Sequence, residues 1–325
     1  MTTPIFIFSL PRSGSTLAQK ILGSHPEVAT VAEPWLLLPF VYALRSDGIY
    51  TEYAQSTGAK AVQEFLRELP AGQKDYYAAL RELVLRLYTS AAGAGSRYFL
   101  DKTPRYHLII KEILDIFPEA KCIILWRNPL AVAASIVRTW GKNGRWIAYR
   151  YNIDLYKGLE NLVEAAGGDS GRLYQVRYED MVTDPEAIWF RIFSYLGLHY
   201  DPLVLERYTS VQFAGSMGDP TGNKKFSRIS PDSVNDWVSA FNTPLRKIWA
   251  RRYLNWIGPE RLRMMGYEDT ELKQALMAAP SGNVPRLLSD AFFMTLGTLH
   301  GPLDLSGVKR QARRALSRRR NYAAT

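Results

Sequence analysis

The stretch that most constrains this chain is Pro4-Ile5-Phe6-Ile7-Phe8-Ser9-Leu10-Pro11-Arg12-Ser13-Gly14-Ser15-Thr16-Leu17. Ile5 to Phe8 is a short apolar run that reads as a strand buried on both faces. It breaks at Pro11 into a turn of small residues. Ala18 to Leu22 continue as a helix, with Gly23 and Pro26 as its stop signals. A strand–loop–helix unit of this kind aims free backbone N–H groups and the positive end of a helix at one point, which is a geometry for binding phosphate or sulfate. Gly14 allows close backbone approach, Ser13, Ser15 and Thr16 supply hydroxyl donors, and Arg12 adds a fixed positive fork. The stretch is not a Walker A loop, because no Lys follows Gly14. The bland alternative is an ordinary turn between strand and helix, where small polar residues are common.

Further along the chain, other polar residues stand where strands should end. Glu27 to Trp35 reads as an extended segment, and Pro34 keeps Glu33 out of helical conformation. Tyr98 to Leu100 reads as a second strand, ending in the polar turn Asp101-Lys102-Thr103-Pro104. Ala120 to Trp126 is a clear buried strand with Arg127 at its carboxyl end, and Pro129 suits the first turn of the helix that follows. Ser135 lies on that helix, eight residues after Arg127. Ligands of open α/β sheets gather at the carboxyl ends of strands, so Arg127 should point where Arg12 points. Arg172 to Tyr178 is compatible with another strand, and the run Tyr178-Glu179-Asp180-Met181-Val182 is expected to open the helix Glu186 to Leu196, closed by Gly197. Taken singly, Glu33, Lys102 and Tyr178 have ordinary readings as a solvated carboxylate, a surface lysine and a core tyrosine.

Taken together, these segments resemble the sulfotransferases that use 3′-phosphoadenosine 5′-phosphosulfate (PAPS). The Pro11-to-Leu17 loop looks like their 5′-phosphosulfate loop. Arg127-Asn128-Pro129 with Ser135 looks like their 3′-phosphate element, and Lys102-Thr103-Pro104 like the turn beside the transferred sulfuryl group. The resemblance implies an α/β fold, a three-layer sandwich with a central parallel sheet, similar to P-loop NTPases. It implies PAPS as co-substrate and 3′-phosphoadenosine 5′-phosphate as product, bound by Arg12, Ser13, Gly14, Ser15, Thr16, Leu17, Arg127, Ser135 and Tyr178. Arg12 and Lys102 would stabilise charge in transfer. Glu33 would be the base, as in the enzymes that act on tyrosyl proteins or carbohydrates. A Gly- and Lys-bearing loop is expected over the 3′-phosphate. Residues 211–230 lack the Arg-Lys-Gly-x-x-Gly-x-x-Lys form of the cytosolic enzymes, so Lys224 and Arg228 are candidates by position only. The rival readings are a P-loop kinase or NTPase, and a non-enzymatic binder of anions or membrane surfaces.

The rest of the chain bounds these expectations. Leu36–Arg45, Lys60–Leu69 and Tyr76–Ala92 have helical apolar spacing and form an insertion over about 36–92. In this fold such an insertion helps shape the acceptor pocket, and Tyr42, Tyr50, Tyr53, Tyr76 and Tyr77 are either stacking residues or core. Residues 145–166 read as one helix, and another is expected from Pro231 behind Ser230 as cap. The catalytic domain is expected over 1–270 and a helical extension over 271–325. That extension carries an apolar stripe from Pro285 to His300, then Lys309, Arg310, Arg313, Arg314, Arg318, Arg319 and Arg320, which account for most of the formal charge of +10. An apolar helix followed by a polybasic segment suits peripheral contact with an anionic membrane, against the plainer readings of a packed helix and a solvated tail. No apolar run is long enough to span a bilayer, and the N-terminus lacks a signal-peptide pattern. Cys122 is the single cysteine, which fits a reducing, cytoplasmic setting. The four histidines fall at no metal-ligand spacing, so no metal is expected. With few aromatics in the tail, no nucleic-acid partner is expected. The resemblance and the helical insertion lean towards a carbohydrate acceptor, a polysaccharide or glycolipid, with a protein tyrosine, a lipid alcohol and a small phenol left open.

Overall fold

The computed structural model describes residues 2–300, except 50, 52, 169–170, 214–228, 232–233, 281 and 283. Five strands form one parallel sheet: β1 (Thr3–Phe8), β2 (Val28–Thr30), β3 (Tyr98–Asp101), β4 (Lys121–Trp126) and β5 (Leu173–Arg177). Their order is β2-β3-β1-β4-β5, every pairing parallel. The strands are apolar at consecutive positions because both faces are covered. Phe6, Phe8, Phe99, Cys122, Ile124 and Trp126 belong to one core. Their neighbours Ile5, Ile7, Leu100, Ile123 and Leu125 belong to the other. The twofold alternation of strand side chains divides the hydrophobic residues into two layers, giving the expected three-layer sandwich.

Helices carry the chain between strands. They are α1 (Ser15–Gly23), α2 (Leu37–Tyr42), α3 (Gln55–Arg67), α4 (Gln73–Ala92), α5 (Ile110–Ile116), α6 (Pro129–Trp140), α7 (Leu159–Gly168), α8 (Tyr178–Thr183) and α9 (Pro185–Leu196). After α9 come α10 (Val204–Arg207), α11 (Pro244–Ile257), α12 (Pro259–Met264), α13 (Asp269–Ala278) and α14 (Val284–His300). In α1, Leu17, Ala18, Ile21 and Leu22 face the second core, whereas α6 buries Leu130, Ala131, Ala134 and Val137 in the first. Pro129 opens α6, and the Asn128 side chain caps it by accepting from the backbone N–H groups of Leu130 and Ala131. Among the described residues, no helix is long and apolar enough to cross a membrane.

Three local expectations change. Residues 145–166 are not one helix. A 3₁₀ turn (Ala148–Tyr151) and a π-helical turn (Ile153–Gly158) precede α7. The apolar spacing was compatible with a helix, but the π turn carries the fully buried Asp154 inward to partners on another element. The Tyr178 run forms its own short helix rather than opening α9, because Asp184 caps a new start at Pro185. The helix expected from Pro231 starts instead at Pro244, where the Thr243 hydroxyl accepts from the N–H of Arg246. Trp237 and Phe241 lie in a 3₁₀ segment before it.

Candidate active site

β1 and β4 are adjacent at the sheet centre, yet the chain leaves them toward opposite edges. Their carboxyl ends therefore frame a crevice, as expected at a topological switch point. The loop after β1 wraps into that crevice. Arg12 has φ 70° and Gly14 φ 93°, both in the left-handed region. Glycine is needed at position 14 for a second reason: a Cβ there would lie 2.3 Å from Cδ2 of Tyr178. The Tyr178 ring packs directly against the loop, and Arg127 stacks on that ring at 4.3 Å. Arg127 donates through Nη1 to the carbonyl of Arg12 (2.7 Å), which ties the β4 end to the strained loop. Arg12 in turn reaches Ser135 with its Nε (3.3 Å) and lies 5.6 Å from the Trp140 ring centroid.

Arg127 is 9% exposed, and among the described residues it makes no ion pair. Its Nε is buried without a hydrogen-bond partner among the described residues. Burial pulls its pKa down, and nearby Arg138 and Arg12 do so further, while Tyr178 and Glu179 oppose them. A buried guanidinium with an unused donor is costly unless an anion completes it. The first turn of α1 adds backbone donors to the same place. Ala18 N–H closes on Gly14 C=O, so the backbone N–H groups of Ser15, Thr16 and Leu17 precede the first intrahelical bond. Leu17 points its side chain into the core, so only its main chain is available. Ser13 is buried beside the loop and donates its N–H to Leu10 C=O.

On the other side, β3 ends at a cluster of polar groups. Lys102, 1% exposed, forms an ion pair with Glu33 at 2.7 Å and lies 3.5 Å from Thr16 Oγ1. The other oxygen of Glu33 accepts from the Trp35 indole at 3.2 Å. Trp35 itself has φ 54°, an outlying value for a bulky residue, and its N–H donates to Thr103 Oγ1. Beneath lies Asp101, fully buried, which accepts from Tyr88 (2.5 Å), Tyr106 (2.8 Å) and Thr103 (3.1 Å). Backbone strain held by such over-determined surroundings is common where function requires a fixed geometry.

These groups share one cleft of about 200 Å³, open to solvent. It is lined by Arg12, Gly14, Ser15, Thr16, Glu33, Lys102, Arg127 and Tyr178 on the anion side, and by Trp35, Pro104, Arg105, Trp140, Tyr151 and Asp154 beyond them. The structure thus brings together residues from five separated segments that the sequence singled out. Ser13, Leu17 and Ser135 lie around the cleft rather than on its lining. Lys224 and Arg228 lie outside the described residues. Of the early tyrosines, Tyr42, Tyr53, Tyr76 and Tyr77 do not line the cleft. Tyr53 is exposed, Tyr76 bonds the Phe40 carbonyl, and Tyr42 lies under Arg45. The aromatic wall comes instead from Trp35, Trp140 and Tyr151, the latter two stacked at 4.7 Å. Sequence reading missed Arg105, Trp140, Tyr151 and Asp154. The Arg directly after the Lys-Thr-Pro turn was the only available signal.

The fold and cleft define an α/β protein with a strained loop between β1 and α1, buried Lys102 and Arg127 beside it, and no Walker lysine. The chain belongs to the sulfotransferase family, whose model matches residues 4–202. The nodulation protein NoeE of Sinorhizobium fredii is 30% identical over 82% of this chain, and the chain spans 66% of that protein's length. A putative protein-tyrosine sulfotransferase of Caenorhabditis briggsae is 24% identical over 83% of this chain and 90% of its own. Among solved structures, the sulfotransferase domain from the curacin biosynthetic pathway aligns with a TM-score of 0.52 and 25% identity, over 73% of this chain and 90% of that domain.

Proposed function

We propose that this protein transfers a sulfuryl group from PAPS to an acceptor hydroxyl, with a carbohydrate as the acceptor class and Glu33 as general base. The observation that carries the nucleotide half is Arg127, a buried cation with an unused donor beside an anion loop. Arg127 and Ser135 would hold the 3′-phosphate, and Tyr178 the nucleotide between them and Gly14. Arg12 and the first-turn N–H groups of α1 would hold the 5′-phosphosulfate. PAPS supplies the sulfuryl group. As the acceptor oxygen forms its new S–O bond and the bond to the 5′-phosphate breaks, Glu33 takes the hydroxyl proton. That protonation dissolves the Glu33–Lys102 ion pair and releases the ammonium charge to the departing phosphate. The wall formed by Trp35, Trp140 and Tyr151 favours a sugar, whose ring faces stack on aromatic side chains while its hydroxyls reach polar neighbours.

The test is calorimetric binding of 3′-phosphoadenosine 5′-phosphate, with AMP as control, to wild type and Arg127→Ala. This is followed by an acceptor panel of methyl glycosides, a tyrosine peptide and 4-nitrophenol. Binding that needs the 3′-phosphate and falls about 10–100-fold in the variant is expected, since a hydrogen-bonded charge pair contributes about 1.5–3 kcal/mol. AMP binding equally well would overturn the assignment. Turnover of the peptide with none of the glycosides would leave the transferase and remove the carbohydrate.

We also propose that α14 and the following basic segment meet an anionic lipid surface. Leu288 (80% exposed), Phe292 (64%) and Leu299 (48%) share one side of α14 by their spacing. The seven cations of 309–320 follow it in sequence and match anionic headgroups. Co-sedimentation is expected with phosphatidylcholine–phosphatidylserine vesicles and not with pure phosphatidylcholine, and weaker for a Leu288→Glu/Phe292→Glu variant. No difference between the two vesicle types would discard the contact.

A further inference from the structure

The cleft contains a second polar assembly that the transfer chemistry does not use. Asp154 projects from the π-helical turn with its side chain fully buried. It holds Arg105 side-on: Arg105 Nε lies 2.7 Å from Oδ1, and Nη2 lies 3.0 Å from Oδ2. The same carboxylate takes a bond from His107 Nε2 at 2.8 Å, and that imidazole is also fully buried. A carboxylate so placed only accepts, so the His107 proton is on Nε2. Its Nδ1 is buried with no hydrogen-bond partner among the described residues. The fold makes room for this arrangement at Gly158, where a Cβ would lie 2.8 Å from the His107 ring. A helix of ordinary pitch across 145–166 would not be expected to place Asp154 here. π turns recur at functional sites for this kind of reason.

The consequence is a guanidinium fixed in one orientation. Arg105 keeps 31% of its side chain exposed while Asp154 and His107 are sealed beneath it. With Nε and Nη2 committed to Asp154, Nη1 is the nitrogen left over, and Arg105 lines the cleft beside Trp140 and Tyr151. An arginine held this way costs little further entropy when it binds a ligand. Arg105 follows the end of β3, on the opposite side of β1 from Arg127 at the end of β4, and that placement points it to the acceptor rather than to the 3′-phosphate end of the nucleotide.

We propose that Arg105 is the acceptor-anchoring residue: it donates to a hydroxyl or ring oxygen of a sugar next to the reacting hydroxyl, with Asp154 and His107 as positioning residues. The inference rests on the sulfuryl-transfer reading of the cleft and deepens it. It sets the specificity of the site, because an acceptor with no neighbouring oxygen gains nothing from Arg105.

The experiment measures steady-state kinetics of wild type, Arg105→Ala, Arg105→Lys and Asp154→Asn, with PAPS, on a methyl glycoside accepted by the wild type and on 4-nitrophenol. Arg105→Ala is expected to lower kcat/KM for the glycoside about 10–100-fold, mainly through KM. Its kinetics with 4-nitrophenol and its affinity for 3′-phosphoadenosine 5′-phosphate should stay at wild-type values. Arg105→Lys should recover only part of the loss, since an ammonium cannot keep the side-on pairing with Asp154. Asp154→Asn should lower glycoside turnover in the same way. Because Asp154 is buried and that variant is liable to misfold, the half-exposed Arg105 variants decide the matter. Equal losses on both acceptors, or none on the glycoside, would overturn the anchoring role. A wild type that binds the nucleotide yet sulfates only the peptide or the phenol would instead refute the carbohydrate reading on which it rests.

Discussion

Glu33 and Lys102 show how much one residue's surroundings decide. An isolated Glu before a proline is ordinarily a solvated carboxylate, but here it contacts a lysine whose side chain is 2% exposed and an indole N–H. Both contacts hold the carboxylate at one point of the cleft, which is what a positioned base requires. Glu33→Gln keeps the size and the indole contact but cannot take a proton. Turnover is expected to fall about 10²–10⁴-fold, with binding of 3′-phosphoadenosine 5′-phosphate close to that of wild type. Turnover near the wild-type level would remove Glu33 from the role. Arg12 and Trp35 share another property, a left-handed backbone at a non-glycine residue, and each is held by a main-chain hydrogen bond from outside its own loop or turn.

The end of β3 is the element that ties the site to the fold. Asp101 gathers donors from α4 (Tyr88), from the following 3₁₀ turn (Tyr106) and from Thr103, which holds Trp35 in turn. Burial raises its pKa from 3.8 to about 6, against the opposing pull of those three donors and of Lys102. The folded protein therefore holds this proton more tightly than the unfolded chain does. The contribution of Asp101 to stability is complete below about pH 4 and is lost as the pH rises through about 6. In urea unfolding, the stability of wild type minus that of Asp101→Asn should decline across this window, with a slope of at most about 1.4 kcal/mol per pH unit. A difference that stays flat or rises would show that Asp101 is not the titrating group.

At the scale of the molecule, the last described helix is clipped to the body by one buried assembly. Asp290 on α14 accepts from Arg246 Nε and Nη2, both at 2.7 Å, and from the Thr243 hydroxyl at 2.8 Å. Arg246 also reaches the carbonyls of Ala240 and Gly144, joining α11, α14 and the segment after α6. Asp290→Ala would leave Arg246 buried and uncompensated, and a loss of about 3–5 kcal/mol is expected. An Arg246→Met/Asp290→Leu double variant should lie much closer to wild type, because it removes both charges together. Thermal unfolding of the three proteins checks this, and equal stability of Asp290→Ala and wild type would show that the clip is dispensable.

The unaided sequence determined the layered α/β fold and which cationic residues share the cleft. Those features are local: a buried parallel strand is a continuous apolar run, and a glycine-bearing turn before a helix carries its own geometry. Because the cationic groups stand at strand ends, knowing the strands already places Arg12, Lys102 and Arg127 on one edge of the sheet. The left-handed backbone of Arg12 and Trp35, the Glu33–Lys102 pair and the aromatic side of the cleft were decided only by the tertiary structure. Trp140, Tyr151 and Asp154 come from the end of a helix and two irregular turns, where apolar spacing predicts burial but not direction. Their convergence with Arg105 depends on how β3 and β4 and the segments following them pack, and sequence spacing does not encode a contact between segments that far apart.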